Sequence, residues 1–309
     1  MTMKQKSKPV VKFGHFGTLA HGPALDNKCK SSDDVGLLKV LADYKIFVNL
    51  AKQISFDLND VNSSKTAINQ LTELLNNYRA TALPVLEARD NSGQENLRSS
   101  IVEEFFQLLL YPLIEEVRKN HEAALALGKA NSYVSLTFTP KSFISLFEKP
   151  TPSVHTKDQD FVLGCAVQLV SRIKSSDKKK QIASESIMNV VVPVVAIECK
   201  TYIERNMLDS CAGTAKRLKS AMPYCLYLVV AEYMKMDDAY PELTDIDEIF
   251  ILTRASNSDR LRTRTQGLVT HNIGADLVYE IFKLVQCHLN KIWWSPEEAL
   301  KRGRIIGRP

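Results

Sequence analysis

The sequence predicts an α/β protein in the broad sense, an α+β mixed sheet with helices packed on it and a helical region on its N-terminal side. Three observations carry this expectation. Apolar residues recur at helical spacing from about residue 34 to 127, the period turns strand-like near residue 131, and a strand–helix–strand succession covers 194–231. At 309 residues with 45% hydrophobic content, the chain can bury a substantial core.

Residues 1–30 carry six lysines among prolines and glycines, which predicts a flexible basic arm. In DVGLLKVLADYKIFVNLAKQI, residues Leu37, Leu38, Leu41, Tyr44, Phe47, Val48 and Ala51 share one helical face, and Asp33 or Asp34 supplies the cap. SSKTAINQLTELLNNYRATALPVLEA and ENLRSSIVEEFFQLLLYPLIEEVRKNHEAALAL give further helices, with Pro84 and Pro112 marking breaks or kinks. SYVSLTFT alternates as a strand. After Pro140, Pro150 and Pro152 comes a second strand at 161–172, DFVLGCAVQLVSRIK. Pro193 argues against a central strand through all of VVVPVVAIECK, so the regular part is expected from Val194. RNMLDSCAGTAKRLKSAM reads as a helix ending before Pro223, and YCLYLVVAEY and DEIFILTRAS as buried strands. Strand, helix, strand implies a right-handed crossover and parallel pairing, whereas the helix-free link before residue 194 implies an antiparallel pair. IGADLVYEIFKLVQCHLNKIWW closes the pattern as an amphipathic helix over a sheet face. The domains expected are a basic arm at 1–30, a helical region at 31–150 and a core at 151–309.

Composition narrows the functional classes. No run of about 18 apolar residues occurs and the N-terminus lacks a secretory block, so a cytoplasmic protein is expected. The six cysteines form no CxxC pair and the six histidines no HxH or HxxxH pair, which speaks against a transition-metal site and for reduced, structural thiols. The net charge of +5 equals that of the first 30 residues, yet basic clusters recur: Arg172, Lys174 and Lys178–Lys180; Lys216, Arg217 and Lys219; Arg254, Arg260, Arg262 and Arg264; Lys301, Arg302, Arg304 and Arg308. Such clusters suit a polyanion, against the blander reading of solvated loops.

The chemistry concentrates in VVVPVVAIECKTYIE, where an apolar strand runs straight into Glu198 and Lys200. At i and i+2 of a strand the two side chains share a face. If the 161–172 strand is its antiparallel neighbour, Asp160, or alternatively Asp158, arrives beside them. Two carboxylates and an ammonium at a sheet edge suit Mg²⁺, which prefers oxygen ligands and keeps several waters, and the reaction such a site supports is phosphodiester hydrolysis. The triplet alone is weak evidence, since acid-x-Lys also occurs at Asp26, Asp43 and Asp177. Only Glu198-x-Lys200 closes a buried strand at a crossover; the alternative is a strand-end ion pair.

VPVVAIECKTYIERNMLDSCAGTAKRLKSAMPYCLYLVVAE resembles the core of a type II restriction endonuclease of the PD-(D/E)xK superfamily. The shared features are an ExK strand, an aromatic-acidic loop, a Met-Leu helix start, a basic helix and a strand ending in Ala-Glu. More narrowly it resembles the two-subunit enzymes that cut CCTNAGC, over about residues 155–235. The resemblance implies Glu198 as a metal ligand, Lys200 as the catalytic lysine and Asp160, preferred to Asp158, as the first acid. The family's Pro-Asp dipeptide is absent. It further implies Mg²⁺, double-stranded DNA as substrate, one strand cut per site leaving 5′-phosphates, and a related second subunit as partner in a heterodimer. Some members add a helix glutamate; Glu103, Glu104, Glu115 and Glu116 are candidates by position, against the solvated face of an amphipathic helix. Lys216, Arg217 and Lys219 are candidates for backbone phosphates, and Arg260, Arg262 and Arg264, in a polar loop, for guanine edges. Trp293 and Trp294 are read as core or subunit contacts. The competing functions are a repair or nicking nuclease of the same superfamily and a DNA-binding subunit without catalysis.

Overall fold

Among the described residues, five strands form one mixed sheet in chain order: β1 (Leu125–Phe138), β2 (Pro152–Lys174), β3 (Ile182–Ile203), β4 (Leu226–Met234) and β5 (Glu248–Ser256). The helices are α1 (His21–Lys30), α2 (Val35–Ala51), α3 (Val61–Glu87), α4 (Ser92–Leu110), α5 (Glu115–His121), α6 (Phe143–Glu148), α7 (Arg205–Ala221), α8 (Asn257–Thr265), α9 (Ala275–Leu289) and α10 (Pro296–Arg302). The computed structural model describes residues 20–30, 34–88, 92–121, 124–148, 151–174, 182–267, 270–291, 293 and 295–303. Lys178–Lys180, Trp294, Arg304, Arg308, Asp33 and most of the expected basic arm lie outside the described residues.

β2 pairs antiparallel with β1 and β3, while β3, β4 and β5 run parallel, as the helix-free link and the α7 crossover imply. A single parallel bridge, Ser132 to Val191, also joins β1 to β3. Helices cover both faces. On one side α1–α4 and α9 pack Leu71, Phe105, Phe106 and Phe282 against Phe161, Ile197, Leu228 and Val230. On the other, Leu208, Cys211, Ala215 and Leu218 of α7 pack on Ala196, Tyr227, Val229 and Ala231. Each strand alternates its side chains between these two cores, so β3 and β4 are apolar on both faces. Local chemistry sets the helix starts: Asp34 accepts from Leu37 N at 3.1 Å, Asp60 from Asn62 N at 2.9 Å, and Ser256 with Asp259 forms a capping box. Pro112 opens a single 3₁₀ turn after α4, whereas α3 continues past Pro84 to Glu87.

Several boundaries differ from expectation, each for a physical reason. Residues 21–30 are helical rather than part of an arm, because His21, Leu25 and Cys29 bury against the helical layer. β1 begins at Leu125, where helix was expected: Gly128 takes φ +113°, a conformation reserved for glycine, and a bulge follows before Ala130. β3 runs straight through Pro193. The proline sits opposite Gly164 at a register shift in the β2 ladder, and pairing with β4 starts only at Val195, so the missing N–H breaks no regular ladder. Gly164 is obligatory there, since a Cβ would lie 2.3 Å from the Val192 carbonyl oxygen. β2 starts at Pro152 rather than 161, which places Asp160 inside the strand. Arg260, Arg262 and Arg264 stand on α8 rather than in a loop, and α9 ends at Leu289, short of the tryptophans.

Candidate active site

The β2–β3 register brings the acids together. Phe161 pairs with Ile197, so Asp160 and Glu198 fall opposite one another on the α7 face, beyond the last regular pair. There the Asp160 side chain substitutes for the missing ladder: its Oδ2 accepts from Cys199 N at 2.9 Å. Lys200, two residues beyond Glu198 on the same face, donates through Nζ to Asp160 Oδ2 at 3.0 Å and to Glu198 Oε2 at 2.8 Å. Two oxygens that touch one nitrogen lie within twice a hydrogen-bond length of each other. Asp158 is not part of this group; it is exposed and faces Lys129 at 3.7 Å.

The environment treats the two acids differently. Burial raises Asp160, but the Lys200 ammonium, the neighbouring Glu198 carboxyl and the Cys199 amide outweigh it and hold Asp160 below the ordinary range. Glu198, 8% exposed against 22% for Asp160, is pushed up by burial and by the Asp160 charge, and Lys200 only partly offsets this. Lys200 is raised: burial works against its charge, and the two carboxylates more than restore it. The site therefore holds an ammonium between two unequal carboxylates.

Residues that sequence reasoning did not single out complete the walls. Tyr227 on β4 and Cys211 on α7 are both pushed up by burial and next by Glu198, Cys211 to about 11. The strand parity of Tyr227 and the helical face of Cys211 would have pointed to them, given the sheet order. Among the helix glutamates, Glu103 and Glu104 are buried, not solvated. Glu103 is raised to about 7, first by burial and then by the charge of Asp160. Glu104 instead accepts from His21 N at 2.8 Å and Gly22 N at 3.1 Å, capping α1. Glu115 is exposed and pairs with Lys119 at 2.9 Å, and the Glu116 side chain lies outside the described residues.

The basic candidates are placed as follows. On α7, Lys216 and Arg217 are exposed, while Lys219 pairs with Asp247 at 2.7 Å. On α8, Arg260 is largely buried against Glu87 and Tyr233, Arg262 pairs with Asp259 at 2.8 Å, and Arg264 donates to the Glu87 carbonyl at 2.6 Å. Trp293 stacks on Tyr224 with ring centroids 5.2 Å apart.

Among the described residues no three His, Cys, Asp or Glu side chains already converge as a metal cage. The two carboxylates offer oxygen donors only, a set suited to a hard divalent cation that keeps part of its water shell. No helix among the described residues is long and apolar enough to cross a membrane.

Comparison with known proteins agrees with this architecture. A search of the curated proteins finds no match. Among solved structures, the chain is similar to one from the native BbvCI A2B2 tetramer, with a TM-score of 0.64 and 20% identity, covering 90% of this chain and 98% of that one. That likeness establishes a common fold. The family model of the Bpu10I restriction endonuclease matches residues 94–305, a span that holds all five strands together with Asp160, Glu198 and Lys200. The chain belongs to the Bpu10I restriction endonuclease family.

Proposed function

We propose that this chain is the catalytic subunit of a Mg²⁺-dependent type II restriction endonuclease that hydrolyses one strand of double-stranded DNA at a specific site, leaving a 5′-phosphate and a 3′-hydroxyl. The observation that carries the reading is the convergence of Asp160, Glu198 and Lys200 at the end of the β2–β3 ladder. Asp160 and Glu198 are the residues that would hold the metal, with Glu103 as a third carboxyl within electrostatic reach. A bound Mg²⁺ supplies a water of lowered pKa and offsets charge on the phosphate. The protein side of the chemistry is positional. The Cys199 amide fixes one oxygen of Asp160. Lys200 has three donors and touches two carboxylate oxygens, leaving one N–H for a phosphate oxygen on which charge develops. The raised pKa of Lys200 keeps that donor charged.

One site cuts one strand, so a duplex break requires a second site. The BbvCI assembly is an A2B2 tetramer; by analogy, the partner here is a related second subunit that supplies it. The test compares wild type with Glu198→Ala on supercoiled plasmid, with Mg²⁺ or with EDTA, measuring cleavage and DNA binding together. Mg²⁺-dependent cleavage that disappears in the variant while binding persists is the expected outcome. Unchanged cleavage by Glu198→Ala would overturn the assignment of Glu198, and wild type that binds DNA without Mg²⁺-dependent cleavage would leave a DNA-binding subunit.

A further inference from the structure

Four arginines and two glutamates meet where α3, α4, β4 and α8 converge, on the helical side of the sheet and apart from the carboxylate site. Glu232 pairs with Arg79, both almost fully buried, and Arg98 Nε stands 3.9 Å from its other oxygen. Glu87 receives Arg98, then Arg260 Nε at 3.4 Å and Arg264 Nε at 3.8 Å. Four cations against two anions leave the cluster two positive charges in excess; Arg264 is half-exposed, so one surplus charge is buried. Arg98, 6% exposed at its side chain, has two guanidinium nitrogens without a hydrogen-bond acceptor among the described residues.

Surplus buried charge costs several kcal/mol per ion unless it is compensated, so the cluster favours an anion at its rim. The rim is Arg264, whose side chain is 46% exposed, with Arg260 behind it at 13%. Neither is disposed to read bases. A base reader extends its guanidinium edge-on into a groove, whereas Arg260 lies over the Tyr233 ring at 5.9 Å and Arg264 commits Nη2 to the Glu87 carbonyl.

We infer that Arg264, backed by Arg260 and the buried surplus of positive charge, binds a backbone phosphate of the DNA and holds the duplex without reading its sequence. This rests on the nuclease reading and narrows it: α8 contributes affinity rather than site choice. The experiment measures binding of the full chain to a labelled random-sequence duplex in EDTA over a salt series, for wild type, Arg264→Gln and Arg264→Lys. Losing one phosphate contact lowers the slope of log K against log salt by about 0.9. Arg264→Gln is expected to show that loss and several-fold weaker binding, and Arg264→Lys to retain the slope. An unchanged slope in Arg264→Gln, or a loss confined to one DNA sequence, overturns the inference while leaving the nuclease reading intact. If the wild-type chain binds no duplex in a salt-dependent way, the inference falls, and the plasmid assay decides the nuclease reading separately.

Discussion

Replacing Lys200 with methionine isolates the electrostatic problem that the site solves. Methionine keeps most of the length of the side chain and removes the ammonium that bridges Asp160 and Glu198. Two carboxylates then face one another at about 5 Å; at an effective dielectric of about 20 their repulsion is about 3.3 kcal/mol. Each lost charge-assisted hydrogen bond adds about 1.5 kcal/mol or more, and partial protonation of the pair returns some of it. The net cost is expected near 3–5 kcal/mol, the usual range for breaking a buried ion pair. At about 2–3 °C per kcal/mol for a chain of this size, the melting temperature in EDTA should fall by roughly 6–15 °C. Mg²⁺ should reverse much of this, because a cation replaces the missing charge; at a hundred times its dissociation constant it returns about 2.7 kcal/mol. Cleavage should stay about 10²-fold or more below wild type even in the stabilised protein, since no donor remains for the phosphate. Thermal melts with and without Mg²⁺, run beside a plasmid assay, measure all three quantities. A variant that melts like wild type in EDTA, or that gains nothing from Mg²⁺, would refute the reasoning.

Three further outcomes follow from features away from the lysine. Gly164→Ala places a Cβ 2.3 Å from the Val192 carbonyl and must displace β2 or β3; it should cost about 1–3 kcal/mol by denaturant titration and lower cleavage by disturbing the acid pair four residues away. Glu103→Gln should raise the Mg²⁺ concentration for half-maximal cleavage about ten-fold with little change in melting temperature, and an unchanged Mg²⁺ requirement removes Glu103 from the site. The α1 anchor should respond to pH with two opposed signs. Burial raises Glu104 to about 7, so its contribution to stability is present below the ordinary glutamate range and lost as pH rises through 7. Burial lowers His21 to about 4, so its contribution is present above about 6.5 and lost as pH falls through 4. Glu104→Gln should therefore flatten the melting temperature between pH 5 and 8 relative to wild type, and identical pH profiles would exclude the assignment.

How much could be read from the chain depended on the range of the signal. The strands at YCLYLVVAEY and DEIFILTRAS, the α7 helix and the parallel and antiparallel pairings follow from local periodicity and connection type, and the structure agrees. Glu198 and Lys200 share a face by strand parity alone. Asp160 required one more inference, the antiparallel register, and the ladder ends where that inference needs it to end. What escaped was long-range. Nothing local distinguishes Glu103 from Glu115, since both stand on amphipathic helices; only packing buries the first against the sheet and leaves the second in solvent. The arginines of α8 look like a solvated basic run until Glu87, 173 residues before Arg260, turns out to be their partner. Pro193 misled because the rule against proline in central strands carries an exception for bulges, and the compensating glycine lies 29 residues upstream.

The bulge at Gly164 and Pro193 also divides the long hairpin into two parts with separate fates. On one side the ladder is short and ends in the acids; on the other it continues to Lys174 and Ile182. Residue pairs added or deleted on that outer side leave the offset between Asp160 and Glu198 untouched. The outer ribbon is thus free to change length, and with it whatever it touches, while the acid pair keeps its spacing. Within such a chain, a new contact surface can evolve on the same two strands that hold the acid pair.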